Sequence, residues 1–282
     1  MKNTYRTQKI AFSLLFLATL LIVIPVGLIV VIIIQKGLPA INWQFLSDIP
    51  RQGMRAGGIF PAIVGTIYLV TGAIIFALPI GLLAAIYLSE YSKDNLLTRL
   101  IKLAIVNLAG VPSVVYGLFG LAIFVVFFKF GASILSGSLT LGIMILPVII
   151  TTSREALESV PYSFREVSLS LGASKWQTIR HIVLPNAVPG ILTGTILGLG
   201  RAAGETAPIL FTVAAFYLPR LPGSIFDQAM ALPYHLYVIS TQVPNVDEKI
   251  RYGTAFVLLS LVLFMNLVAI IIRYQFRKKK KW

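Results

Sequence analysis

Two charged residues, Arg201 and Glu205, interrupt the apolar run GLGRAAGETAPI, in a stretch long enough to cross a bilayer. One Arg or Glu at the centre of a membrane helix costs about 2.5–3.5 kcal/mol on insertion scales, so such residues usually face a polar interior and carry function. Their i,i+4 separation predicts one helical face, where they can pair. Arg preceding Glu is the less favourable order for a helical ion pair, which argues against a purely structural brace. The plain alternative is a neutralising interhelical pair that fixes packing. The functional reading is a charge site on the path of an anionic solute, with Glu205 holding or releasing the guanidinium. Arginine's planar fork suits phosphate-like oxyanions.

A second constellation is polar rather than buried. In SREALESVPYSFREVSLSLGASKWQTIRHIVLP, residues 153–185, Glu166, Gly172, Ile182, Leu184 and Pro185 stand at the spacing E-x5-G-x9-I-x-L-P. Ser163 with Glu166 is a capping-box pattern, so a short helix is expected to begin there. Phe164, Val167 and Leu171 then share a face, and Gly172 supplies the left-handed residue that closes the helix. Ser174 and Gln177 repeat the capping box. Trp176, Ile179 and Ile182/Val183 give the second helix its apolar side, and Pro185 is expected to stop it. Such a helix–glycine–helix unit can insert into a groove on a partner protein. The bland alternative is an amphipathic hairpin lying on the membrane.

A third candidate is GVPSVVYGLFG, residues 110–120. Pro112 removes a backbone donor and the flanking glycines permit a local break, as in the discontinuous helices of transporters. Ser113 and Tyr116 are its polar side chains. A kink serving packing alone explains the pattern equally well.

The elements that must carry these residues are membrane helices. Hydrophobic residues make up 57% of the chain and charged residues 12%, with mean hydropathy +0.88. That balance excludes a soluble domain of this length. Charge-poor runs of about 20 residues or more predict six spans, at 10–35, 59–89, 103–128, a weaker run ending near 153, 182–219 and 254–272. The absence of cysteine excludes disulfides, thiolate metal sites and cysteine nucleophiles. The formal charge of +14 does not point to nucleic acid, because the basic residues cluster beside apolar runs. With the N-terminus inside, sixteen Lys and Arg residues fall on the cytoplasmic side and seven outside, with Arg201 in the membrane. The positive-inside rule thus predicts both termini and the 153–185 segment in the cytoplasm. The first apolar run is too long for a signal core, and is expected to stay as an anchor. The KKKKW tail is expected to contact lipid headgroups. Between spans, 37–58 reads as an irregular interfacial segment. The 219–253 segment is apolar enough to dip into the bilayer, but Pro233 breaks it too much to span.

The five-residue spacing in the polar segment resembles the E-A-A-x3-G-x9-I-x-L-P coupling loop of permease subunits in bacterial ATP-binding-cassette importers. Val167 and Ser168 replace the two alanines. The runs GGIFPAIVGTIYLV and ALPIGLLAAIYLSEY, GVPSVVYGLFG, GRAAGETAPI and MALPYHLYVIS together resemble the permeases of the high-affinity phosphate importer, over nearly all of residues 57–272 and in the PstA manner. The resemblance implies an all-α polytopic membrane protein with six transmembrane helices, the type I importer permease fold and a cytoplasmic coupling helix-turn-helix. It divides the chain into an N-terminal helix and outer loop (1–56), a transmembrane core (57–273) and a basic tail (274–282). It further implies inorganic phosphate as substrate, no cofactor, and location in the bacterial cytoplasmic membrane. The implied partners are a second, PstC-like permease, a cytoplasmic PstB-like ATPase dimer and an extracytoplasmic PstS-like phosphate-binding protein, besides membrane lipid.

The chain carries no Walker-type G-x4-G-K-[ST] sequence, so ATP hydrolysis is expected in a separate polypeptide. An intramembrane enzyme would need a catalytic pair at membrane depth. The two histidines, His181 and His235, fall outside the spans, and the membrane run supplies no second carboxylate beside Glu205. A scaffold or signalling subunit that docks an ATPase is the competing class. Within transport, sulfate, molybdate or phosphonate are the alternative solutes.

Overall fold

The computed structural model describes residues 2–278, with side chains from residue 7 onward. The last part of the basic tail, 279–282, lies outside the described residues. Helix α1 (Lys2–Gly37) leads to an outer segment made of a tight turn (Leu38–Ala40) and α2 (Trp43–Ser47), whose first turn is capped by Asn42. A minimal hairpin follows, β1 (Pro50–Arg51) antiparallel to β2 (Ala56–Gly57). Helix α3 (Phe60–Ile86) continues through a π-helical turn, Tyr87–Tyr91. Next come α4 (Leu96–Ala109), α5 (Ser113–Gly120) with a π-helical extension (Leu121–Phe127), and α6 (Ile134–Glu158). The polar segment forms α7 (Tyr162–Ser170) and α8 (Lys175–Thr178), which passes through a π turn (Ile179–Val183) into α9 (Leu184–Gly204). Helices α10 (Ala207–Thr212), α11 (Leu232–Thr241) and α12 (Glu248–Lys278) complete the described chain.

Among the described residues, five stretches are long and apolar enough to cross a membrane: Thr7–Ala40, Phe60–Tyr91, Ile134–Glu158, Lys175–Gly204 and Glu248–Lys278. The pair Leu96–Ala109 and Ser113–Phe127, bent by 103°, makes the sixth. An even number of crossings returns both ends to one side, in keeping with the Lys/Arg asymmetry. The architecture is the expected six-span helical bundle.

Three spans differ from their expected form. The weak fourth run is the most deeply packed: 67% of the apolar window of α6 is buried, against none in α1. Its Ser133 caps the helix, and Ser136, Ser138 and Thr140 are buried against neighbouring helices. Low hydropathy here marks a helix that touches protein rather than lipid. Helix α6 packs against α3, α9, α4, α5 and α10, whereas α1 leans on α12. The third span, expected over 103–128 with Pro112 permitting a local break, turns a full corner of 103° there. Pro112 disfavours helix at Val111, takes an extended ψ of 141° itself, and restarts the helix at Ser113. The fifth, expected to reach 219, stops at Gly204.

Two clusters of buried apolar side chains hold the bundle. The larger joins α3, α6, α10 and α11, with Leu69, Met144, Ile145, Ile209 and Leu232 at its centre. Pro233 does not break the outer segment but starts α11, and residues 229–232 thread into this cluster. The smaller cluster sits at the cytoplasmic end, where Ala85 and Ile86, Leu157, and Ile179 and Val183 meet. Helix α9 approaches α6 through Gly190 and Gly194, where a Cβ would strike Ala156 and Thr152. These two small residues therefore meet a helix of this same chain.

Candidate coupling and substrate-pathway sites

The segment 153–185 folds as two helices around a glycine, with different ends from those expected. Helix α7 starts at Tyr162 after Pro161, and no side chain caps it, so Ser163 lies inside the first turn. Gly172 has φ +82°, the left-handed conformation that its position in the spacing predicts. Ser174 and Gln177 form both bonds of the capping box. Pro185 does not stop the second helix. The π turn widens the backbone just before it, with Leu184 N–H donating to Ile179 O, five residues back. That bulge relieves the clash a proline makes in a regular α-helix, and the span continues to Gly204.

The two short helices are held together by Ser168, whose hydroxyl meets that of Thr178 at 2.9 Å, both residues being buried. Ser168 is one of the two departures from the alanine pair, and it adds this bond. Phe164 packs into the cytoplasmic cluster. Glu166 and Pro185 are exposed, while Ile182 and Leu184 are half-buried. Tyr162, Val167, Leu171 and Trp176 stand out into solvent, Leu171 being 83% exposed. The helix-turn-helix thus presents an exposed apolar surface with a carboxylate, Glu166, beside it.

The membrane site is built around two breaks. Glu205 follows the last residue of α9 and is extended (φ −78°, ψ 134°), so it does not share a helical face with Arg201. The two still face each other, Arg201 Nε lying 3.6 Å from Glu205 Oε1, with side chains 31% and 20% exposed. That distance is an ion pair rather than a close hydrogen bond. Glu205 borders a cavity of about 10 Å³ beside Thr66 and Leu141, too small for an oxyanion.

The break at Pro112 packs onto the same region, because α5 lies against α10. Gly117 allows this approach: a Cβ there would meet Ala207 O and Pro208. Tyr116 is within electrostatic reach of Arg201. Its ring is buried, and its hydroxyl donates to Leu108 O at 2.7 Å, which braces the corner between α4 and α5. Pro112 is exposed and Ser113 half-buried at that corner. The structure thus gathers Arg201, Glu205 and Tyr116 near one break, with Ser113 at the head of α5.

Sequence reasoning missed the best-made ion pair. Arg165 Nη2 lies 2.7 Å from Glu90 Oε1, with side chains 12% and 8% exposed. The same guanidinium donates to Val160 O at 2.8 Å and Leu157 O at 2.9 Å, at the end of α6. The partners are 75 residues apart, so spacing gave no signal. The only hint was a carboxylate, Glu90, at the very end of an apolar run.

These features define a class: a polytopic helical membrane protein with broken spans and a polar helix-turn-helix between two of them. The family "Binding-protein-dependent transport system inner membrane component" matches residues 77–282, and the chain belongs to that family. It is a multi-pass permease subunit of the cytoplasmic membrane. It is 34% identical over 282 residues to a probable ABC transporter permease protein, YqgI, of Bacillus subtilis, covering 95% of each chain. It is 32% identical over 281 residues to the phosphate transport system permease protein PstA 1 of Mycobacterium tuberculosis, covering 97% of this chain and 90% of the relative. Its fold is similar to the MetNI methionine ABC transporter, with TM-score 0.57 and 16% identity over 78% of this chain and 94% of the other.

Proposed function

We propose that this chain is one of two permease subunits of an ATP-driven importer that carries inorganic phosphate inward by alternating access. The observation behind the transport route is Arg201: a partly exposed guanidinium at a broken membrane helix, loosely paired with Glu205. Its fork can accept the oxygens of a dehydrated oxyanion, and Glu205 can hold the charge when no anion is there. Phosphate rather than sulfate, molybdate or phosphonate rests on the near full-length relatives named as phosphate permeases. The transmembrane core at 57–273 carries this route, 1–56 is an added anchor with its outer loop, and 274–282 is a basic tail.

In this reading the helices around Gly172 dock a cytoplasmic ATPase dimer, with Glu166, Gly172, Ile182, Leu184 and Pro185 as the coupling set. ATP-driven closure of that dimer pushes the helix-turn-helix, and the permease pair opens outward to take phosphate from an extracytoplasmic binding protein. Hydrolysis returns it inward. Pro112, Ser113 and Tyr116 line or brace the route beside Arg201. The test is phosphate uptake in a strain lacking its own transporter, with this chain supplied alongside its partner subunits. Uptake unaffected by excess sulfate or molybdate is the expected result. Equal competition by those anions would move the assignment to another oxyanion. Topology is checked separately with single cysteines, which have no native competitors. One near Lys175 is expected to resist impermeant reagent from outside, and one near Asp247 to react.

A further inference from the structure

We propose that Glu90 and Arg165 form the joint through which movement of the helix-turn-helix reaches the membrane bundle; this rests on the reading of that unit as the ATPase dock. One guanidinium ties three elements. Arg165 rides on α7, Glu90 ends the second span, and Leu157 and Val160 offer the carbonyls at the end of α6. Helices α3 and α6 are packed together along the bundle, so a displacement delivered there reaches its centre. Beside the joint the two parts stand apart. A cavity of about 530 Å³, bordered by Ser89, Glu158, Tyr162 and Lys175, separates the helix-turn-helix from the ends of α3 and α6. Arg165 bridges this gap alongside Phe164 and Ile179 in the apolar cluster and Lys175, whose ammonium lies 4.9 Å from the centre of the Tyr91 ring. Among these, Arg165 is the one that ties both span ends, through a carboxylate and two carbonyls.

The chemistry suits a rigid link. A flexible lysine would offer a point charge, whereas the planar guanidinium fixes direction by donating to a carboxylate and two carbonyls together. The pair is nearly dry, so salt screens it little. It is placed to carry force rather than to bind a ligand. Arg165 and Glu90 are therefore positioning residues, and neither touches the solute.

The experiment uses the complete transporter, with both permeases, ATPase and binding protein, reconstituted in liposomes. Glu90→Gln keeps shape and removes the charge. The expected result is normal capture of the ATPase, retained basal hydrolysis, and at least a tenfold fall in phosphate moved per ATP. Arg165→Lys should fall between that variant and the wild type. Glu90→Cys with Arg165→Cys, joined by a short bis-thiol reagent, should recover coupling that the unjoined pair lacks. All values are taken per assembled complex, so poor folding of one variant does not decide the outcome. Wild-type transport per ATP in Glu90→Gln and Arg165→Lys overturns the joint. Failure of the unaltered chain to capture the ATPase overturns the docking reading itself, a result distinguishable from the first.

Discussion

Of the three Arg–Glu pairs among the described residues, two are built to opposite specifications. Arg165 and Glu90 meet at 2.7 Å, almost dry, with two further carbonyls on the same guanidinium. Arg201 and Glu205 meet at 3.6 Å, more exposed, across the end of a helix. Fully satisfied buried networks rigidify, while a loosely held cation stays available. The difference fits the two roles proposed for them, a tight pair to transmit and a loose one to change partners.

The strongest way to break this comparison is at Arg201. Arg201→Ala is expected to abolish phosphate uptake while the complex still assembles and binds ATP, measured by co-purification and nucleotide binding. The decisive control is Arg201→Met with Glu205→Gln. If the pair merely neutralises itself, removing both charges leaves a well-packed apolar site and restores transport. Uptake near the wild-type rate in that double variant would sink the pathway assignment. We expect an assembled complex that moves no phosphate.

Arg201→Lys sharpens the same point with a smaller effect. It keeps the charge but loses the bidentate fork, so uptake is expected to fall about tenfold rather than vanish, with KM rising more than kcat falls. A kcat loss at unchanged KM would instead place the arginine in the conformational cycle.

The two pairs were not equally legible in the sequence. Arg201 and Glu205 stood out because a charge in an apolar run is expensive wherever it lies. What the sequence missed was that the helix stops between them: GETAP reads as a tolerable helical continuation until Pro208 is seen to start a new helix. Arg165 was hidden by its neighbours, in a segment already rich in charge. The α6 span was undervalued because hydropathy measures contact with lipid, and serines facing other helices lower it. Pro185 was read as a stop because a sequence does not show the π turn that makes room for it. The positive φ at Gly172 and the Ser174–Gln177 capping box were readable, since each is set by residues within one turn.

Gly172 probes the transmitting end. Open space surrounds the position a Cβ would take, so only backbone strain opposes a side chain there. The left-handed conformation costs an ordinary residue about 1–2 kcal/mol, and a β-branched one more. Gly172→Val is expected to lower ATPase capture and uptake by several-fold to tenfold. Gly172→Asn, which tolerates this conformation, should retain most of both. Equal loss in the two variants would mean that the turn's surface matters rather than its geometry.

The smallest effect on transport is expected at His235, which sets a buried group with no partner beside the two paired ones. The ring is 2% exposed in α11, outside the spans, and its Nδ1 has no hydrogen-bond partner among the described residues. Burial penalises the charged imidazolium and lowers the pKa from 6.5 to about 4. The folded state therefore binds this proton less readily than the unfolded state does. Stability is fully present above pH 6.5 and is lost as pH falls through the window down to about 4, at roughly 1.4 kcal/mol per pH unit. By pH 5 the loss reaches about 2 kcal/mol. His235→Asn is expected to leave uptake at neutral pH within about twofold of the wild type while flattening the fall in Tm of the purified complex between pH 7 and 5. An unchanged pH slope in that variant would show that groups other than His235 set the acid sensitivity of this bundle.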